Sequence, residues 1–110
     1  MKAQALFDIA HLSVQRQNAG KPYLEFLRVA PMSAGVYVLS AGATDNQRPH
    51  AQDELYYVVS GRARMRSGAE DWEVAPGSII FVAAEVEHRF YDIREELTLL
   101  VFFAPAESET

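Results

Sequence analysis

From Tyr23 onward the hydrophobic positions fall in short runs that read as strands. Tyr23 to Val29 is rich in β-formers and ends at Pro31, since proline cannot donate to a ladder. Gly35 to Ser40 forms the next run, and the polar stretch Ala41 to Pro49 reads as a loop. Glu54 to Val59 is apolar at odd and even positions alike, which predicts a strand buried on both faces. Ser60-Gly61 marks a bend. Arg62 to Val74 predicts a hairpin. A two-residue turn at Ser67-Gly68 would set Arg64 opposite Asp71 and Arg62 opposite Glu73. A four-residue turn would instead pair Arg66 with Asp71 and Arg64 with Glu73. Either register makes a solvated face of arginines and acids, and exposed pairs of this kind contribute about 0–1 kcal/mol each. After the Pro76-Gly77 turn come Ser78 to Val82, a loop over Ala83 to Glu87, the short extended piece His88 to Tyr91, and a last strand over Leu97 to Phe103. Upstream, residues 5–16 have half-helical spacing, with Asp8 placed to cap a short helix. Asn18 to Pro22 reads as a turn, and residues 105–110 as a frayed tail.

About eight short strands with frequent turns predict an all-β sandwich or barrel. The core lies over residues 23–104, with residues 1–22 as an N-terminal helix or extension. The length of 110 residues suits one domain. A hydrophobic share of 49% is ample for a core and argues against disorder. There are no cysteines, which excludes disulfides, thiolate metal sites and thiol nucleophiles, and fits a reducing cytoplasm. The chain opens without a signal-peptide pattern, and no run nears the roughly 20 apolar residues of a membrane span. A net charge of −5 disfavours nucleic acid and anionic membranes as partners.

The candidate chemistry centres on three residues. His50 and Glu54 are four apart at the start of a strand, so both side chains share a face. His88 sits at a later loop-to-strand junction that a barrel can bring beside them. Two imidazoles and one carboxylate suit iron, manganese, nickel or zinc, with positions left open for substrate or water. By spacing alone, ordinary surface or core roles for these histidines account for the pattern better than a metal site does. His11 reads as a surface residue. Neither a nucleophile elbow nor a phosphate-binding glycine loop is present.

The stretch from Pro49 to Gly61 resembles the first motif of the cupin family. His50, Glu54 and Gly61 match that motif's second histidine, glutamate and glycine. Pro76 to Phe90, with Gly77 and His88, resembles the second motif. The likeness covers residues 35–104. It implies a double-stranded β-helix, or jelly-roll barrel, with a divalent transition metal (Fe, Mn, Ni or Zn) on His50, Glu54 and His88. It further implies a small-molecule ligand, oxygen-dependent, isomerase or lyase-like chemistry, and a homodimer formed through the Tyr23–Val29 strand and a sheet face. Arg48, Gln52 and Tyr56 are the expected substrate-positioning residues. The sequence departs from the family at three places. Arg48 replaces the first motif histidine, Ala83-Ala84-Glu85 replaces the Pro-x-Gly turn, and Asp92 replaces an asparagine. A guanidinium cannot ligate a metal. Arg48 therefore either turns away, pairs with an anionic substrate, or marks a non-catalytic, metal-free binder of a small ligand.

Overall fold

The computed structural model describes residues 4–108. It is an all-β fold with one helix, α1 (Ile9–Ala19), followed by β1 (Tyr23–Val29), β2 (Met32–Leu39), β3 (Asp53–Ser67), β4 (Glu70–Val74), β5 (Ile79–Val82) and β6 (His88–Ala104). The strands run in the order β1-β2-β6-β3-β4, and β5 pairs with the free side of β3. All ladders are antiparallel.

Two long strands shape the barrel. β3 and β6 pair along nearly their whole length, from Asp53↔Ala104 to Ser67↔His88, with register shifts between Val58 and Arg64. Bulges of this kind bend a strand and increase its twist, so the ribbon folds over on itself. Its inner face then encloses one core that includes Tyr56, Val58, Met65, Phe90, Leu97, Leu99, Val101 and Phe103. The result is the jelly-roll, double-stranded β-helix expected from the sequence.

Several local expectations change. The helix continues through Asn18-Ala19, where a turn was predicted. Asp8 does cap it, accepting from the backbone N–H groups of Ala10 and His11 at 2.9 and 3.1 Å, and Gly20 ends it in the left-handed region. β2 begins at Met32 rather than Gly35, because a tight Ala30-Pro31 turn leads straight into pairing with β1. Ser60-Gly61 does not end a strand, and His88–Tyr91 and Leu97–Phe103 are two ends of one strand. Bends within continuous ladders had looked like breaks.

β3 is not buried on both faces. Glu54, Tyr56 and Val58 are buried, whereas Leu55 and Tyr57 are 40% and 39% exposed. The outer face is apolar but open. The hairpin takes the Arg66↔Asp71, Arg64↔Glu73 register, around Gly68-Ala69. Gly68, at φ +56, fills the position where such a turn needs glycine. The start of the supposed tail is tied down. Glu107 N–H donates to Ser33 Oγ at 2.8 Å, and Gln52 Nε2 donates to Ser108 Oγ at 2.6 Å. Residues 109–110 lie outside the described residues. No helix among the described residues is long and apolar enough to cross a membrane.

Candidate metal centre

The loop that precedes β3 is anchored from inside. Asp45 is buried and its carboxylate accepts from the Tyr37 hydroxyl (2.8 Å), the Phe90 backbone N–H (2.9 Å) and Gln47 Nε2 (2.8 Å). A carboxylate only accepts, so the Gln47 amide must present its nitrogen to Asp45 and turn Oε1 the other way. That oxygen accepts from the Tyr56 hydroxyl at 3.0 Å and lies 3.4 Å from His50 Nε2. Pinning the loop at Asp45 thus delivers His50 to the barrel mouth. The His50 carbonyl in turn accepts from Glu85 N–H at 2.7 Å, which joins this loop to the one before β6.

Glu54 enters the barrel by strand alternation, from a position paired with Val82 on one side and Phe103 on the other. His88 opens β6. Its Nδ1 lies 2.9 Å from the Val86 carbonyl, which can only accept, so Nδ1 carries hydrogen and Nε2 faces inward. Nε2 is 3.1 Å from the Tyr56 hydroxyl and 3.1 Å from Glu54 Oε1. The ligand-capable atoms of His50, Glu54 and His88 all lie within 4.8 Å of one another. The sequence-predicted trio is therefore brought together.

Neither oxygen of the Glu54 carboxylate has a hydrogen-bond partner, although the residue is only 2% exposed. A buried, donor-less carboxylate facing an imidazole nitrogen is costly. Something positive between them removes that cost: a proton on Nε2 or a metal ion. Burial lowers the pKa of His88, but the Glu54 carboxylate and the Val86 carbonyl outweigh it and hold the group above its ordinary value. Burial and the Glu54 charge keep the Tyr56 hydroxyl protonated far into the alkaline range.

A cavity of about 180 Å³ adjoins the trio, lined by residues that include Tyr23, Tyr37, His50, Glu54, Phe103 and Glu107. Tyr23 fits there because Gly35 lies beneath its ring, where a Cβ would come within 2.3 Å of it. The Tyr23 hydroxyl is buried without a partner. A larger, polar recess of about 600 Å³ is lined by residues that include Gln47, His88, Arg66 and Arg89.

Of the three expected substrate-positioning residues, only Tyr56 reaches the cluster. Arg48 is exposed and lies outside the residues lining either cavity, since its loop turns Gln47 and His50 inward and leaves Arg48 and Pro49 outside. Gln52 is buried but spends its amide on Ser108. Gln47, Asp45 and Glu107 were not expected. Glu107 Oε2 is 3.5 Å from His50 Nδ1. Burial, more than its charged neighbours, raises the Glu107 pKa above the usual carboxylate value. Nothing in the local pattern marked these residues, because none lies on a regular strand.

Comparison with known proteins places this geometry in context. A cupin domain family matches residues 35–103. An uncharacterised protein of Streptomyces coelicolor is 50% identical over 102 residues, which is 93% of this chain and 97% of that protein. A crystal structure from Thermus thermophilus superposes with a TM-score of 0.73 at 27% identity, covering 94% of this chain and 99% of that one. A structure from a study of DMSP lyases is 28% identical with a TM-score of 0.62, over 66% of this chain and 38% of that one, so this chain spans well under half of that neighbour's length. The matched span runs from β2 through β6 and contains His50, Glu54 and His88, and on that ground the chain belongs to the cupin family.

Proposed function

We propose that this cupin binds one divalent transition metal (iron, manganese, nickel or zinc) through His50, Glu54 and His88, and acts on a small organic molecule in the adjoining cavity. The observation that carries the reading is the Glu54 carboxylate, buried, without a donor, and facing the inward Nε2 of His88. Two imidazoles and a carboxylate suit the borderline divalent ions and leave positions free for a ligand. When bound, such an ion supplies Lewis-acid polarisation or oxygen activation, the chemistry common to isomerase, lyase and dioxygenase reactions. The chain's own residues do the rest. The Tyr56 hydroxyl stays protonated, donates to Gln47 Oε1 and sets its oxygen beside His88, and the Gln47 amide oxygen offers an acceptor beside His50. Tyr23 presents a free hydroxyl to a cavity walled in part by Tyr37 and Phe103. A volume of about 180 Å³ suits a ligand of a few heavy atoms. The likeness to a chain from a study of DMSP lyases supports keeping elimination among the candidate reactions.

A second reading rests on the same pair. A proton on His88 would also relieve Glu54, giving a metal-free pocket that binds a small ligand without catalysis. Elemental analysis of untagged protein, purified without chelator, separates the two. The metal reading expects about one transition metal per chain, lost in Glu54→Ala and in His50→Ala. No metal in the wild type after reconstitution with each of the four ions leaves the protonated pair. We further propose a cytoplasmic location and assembly as a homodimer.

A further inference from the structure

The two histidines of the trio are held by different means. His88 receives its orientation from its own loop, through the Val86 carbonyl two residues away. His50 has no such local acceptor at Nδ1. Its Nδ1 faces Glu107 instead, at 3.5 Å, with the His50 and Glu107 side chains 21% and 25% exposed.

Glu107 is brought there by a strap, residues 105–108, that lies back across the barrel mouth. Its backbone is fixed at both ends of the residue. The N–H donates to Ser33 Oγ at 2.8 Å, and the carbonyl accepts from Arg28 Nη2 at 2.7 Å. Ser33 is fully buried, so that anchor is part of the core wall. On either side, Ala106 N–H donates to the Ala30 carbonyl at 3.3 Å and Ser108 Oγ accepts from Gln52. With both backbone groups engaged, the side chain has few places to go, and it lines the cavity beside His50, Glu54 and Phe103. The free acceptor of Glu107 and the free Nδ1 of His50 meet at the edge of that cavity.

We propose that Glu107 is the positioning residue for His50. Its carboxylate, a charged acceptor, takes the Nδ1 hydrogen in competition with the neutral Gln47 Oε1 that faces Nε2, and so selects the tautomer whose Nε2 lone pair is open to a cation shared with Glu54 and His88. It also makes that nitrogen a stronger donor to a cation, as outer carboxylates do for metal-binding histidines. The strap is thus part of the site. This rests on the metal reading for its functional consequence, but the tautomer it predicts holds with or without a metal.

The test uses the full-length protein, wild type beside Glu107→Ala and Glu107→Gln, with Co²⁺ alone as the probe. Thermal melts check that all three fold. Long-range ¹H–¹⁵N spectra of the metal-free protein at alkaline pH report the His50 ring. The wild type and Glu107→Gln should show one tautomer with hydrogen on Nδ1, because the amide oxygen still accepts. Glu107→Ala should show a mixture at His50 and no change at His88. Co²⁺ affinity should fall about 10- to 100-fold in Glu107→Ala and recover most of that loss in Glu107→Gln. An unchanged His50 tautomer in Glu107→Ala overturns the proposal, and so does unchanged Co²⁺ affinity where the wild type binds the ion. A wild type that binds no Co²⁺ but still loses its single tautomer in Glu107→Ala refutes the metal reading and upholds the positioning role.

Discussion

At the scale of single residues, Gly61 shows how a motif residue works through the backbone. Its φ is +96°, and a Cβ there would lie 2.2 Å from the Glu96 carbonyl oxygen and 2.7 Å from Leu97 Cα. Both atoms belong to the backbone of β6, so neither can move aside cheaply. Gly77 has almost the same φ, +94°, with open space around it. Gly61→Ala should therefore cost about 3 kcal/mol or more in urea denaturation, whereas Gly77→Ala should cost only the strain of its backbone, about 1 kcal/mol. Equal losses would mean that the close approach of β3 and β6 contributes nothing. His50, Glu54, His88 and Gly61 were legible in the sequence because each stands at a fixed offset on or beside a strand. Gln47, Asp45 and Glu107 were not. They come from irregular segments, where alternation assigns no inward face and only tertiary hydrogen bonds decide which side chain turns in. Arg48, adjacent to an inward residue, is exposed, in keeping with the alternative in which it turns away from the site.

At the scale of elements, the sequence located the strands better than it located their ends and faces. β1 was read to the residue, and the acidic–basic hairpin was recognised with its observed register as one of two options. The run Leu55 to Val59 misled because its outer positions are as apolar as its inner ones, and composition cannot separate a strand buried twice from one whose outer face is left open. β6 misled because Asp92, at φ +47°, and the polar run to Glu96 look like a loop, although pairing with β3 resumes on each side. Burial gives the face directly: Val58 is inaccessible and Ser60 is exposed. Val58→Asp should lose about 3 kcal/mol or more, enough to unfold a domain of this size, because the carboxylate would have no partner in the core. Ser60→Asp should stay within about 1 kcal/mol of wild type, as surface changes do. Chemical denaturation followed by tryptophan fluorescence reads both, and a folded Val58→Asp protein would show the inner face to be misassigned.

At the scale of the whole molecule, the question is what covers the open face. Leu55 and Phe81 are paired across β3 and β5, as are Tyr57 and Ile79, and the exposures of Phe81 and Ile79 are 60% and 67%. Leu100 and Phe102 of β6 continue the same two rows. Contiguous apolar surface of this kind marks an interaction site rather than an ordinary exterior. The resemblance implies a dimer formed through Tyr23–Val29 and a sheet face; on that strand Phe7 packs edge-on against Phe26 at 4.9 Å, and α1 buries Leu12 near it. Among the described residues nothing covers the rows of β3 and β5, whose Leu55, Tyr57, Ile79 and Phe81 stay exposed. The occupant we propose is a second copy, because a two-fold axis sets one apolar row against its own counterpart. A stable dimer needs roughly 800 Å² from each partner, more than the four exposed side chains offer by themselves, so the half-buried β6 residues must take part. Light scattering should give twice the 12.3 kDa of the chain. Phe81→Glu should return a folded monomer whose metal content equals that of the wild type, since the trio opens on the inner face and Phe81 on the outer. A wild-type mass of 12.3 kDa at micromolar concentration would remove the dimer. A Phe81→Glu protein that remains dimeric would move the interface back to the edge of β1.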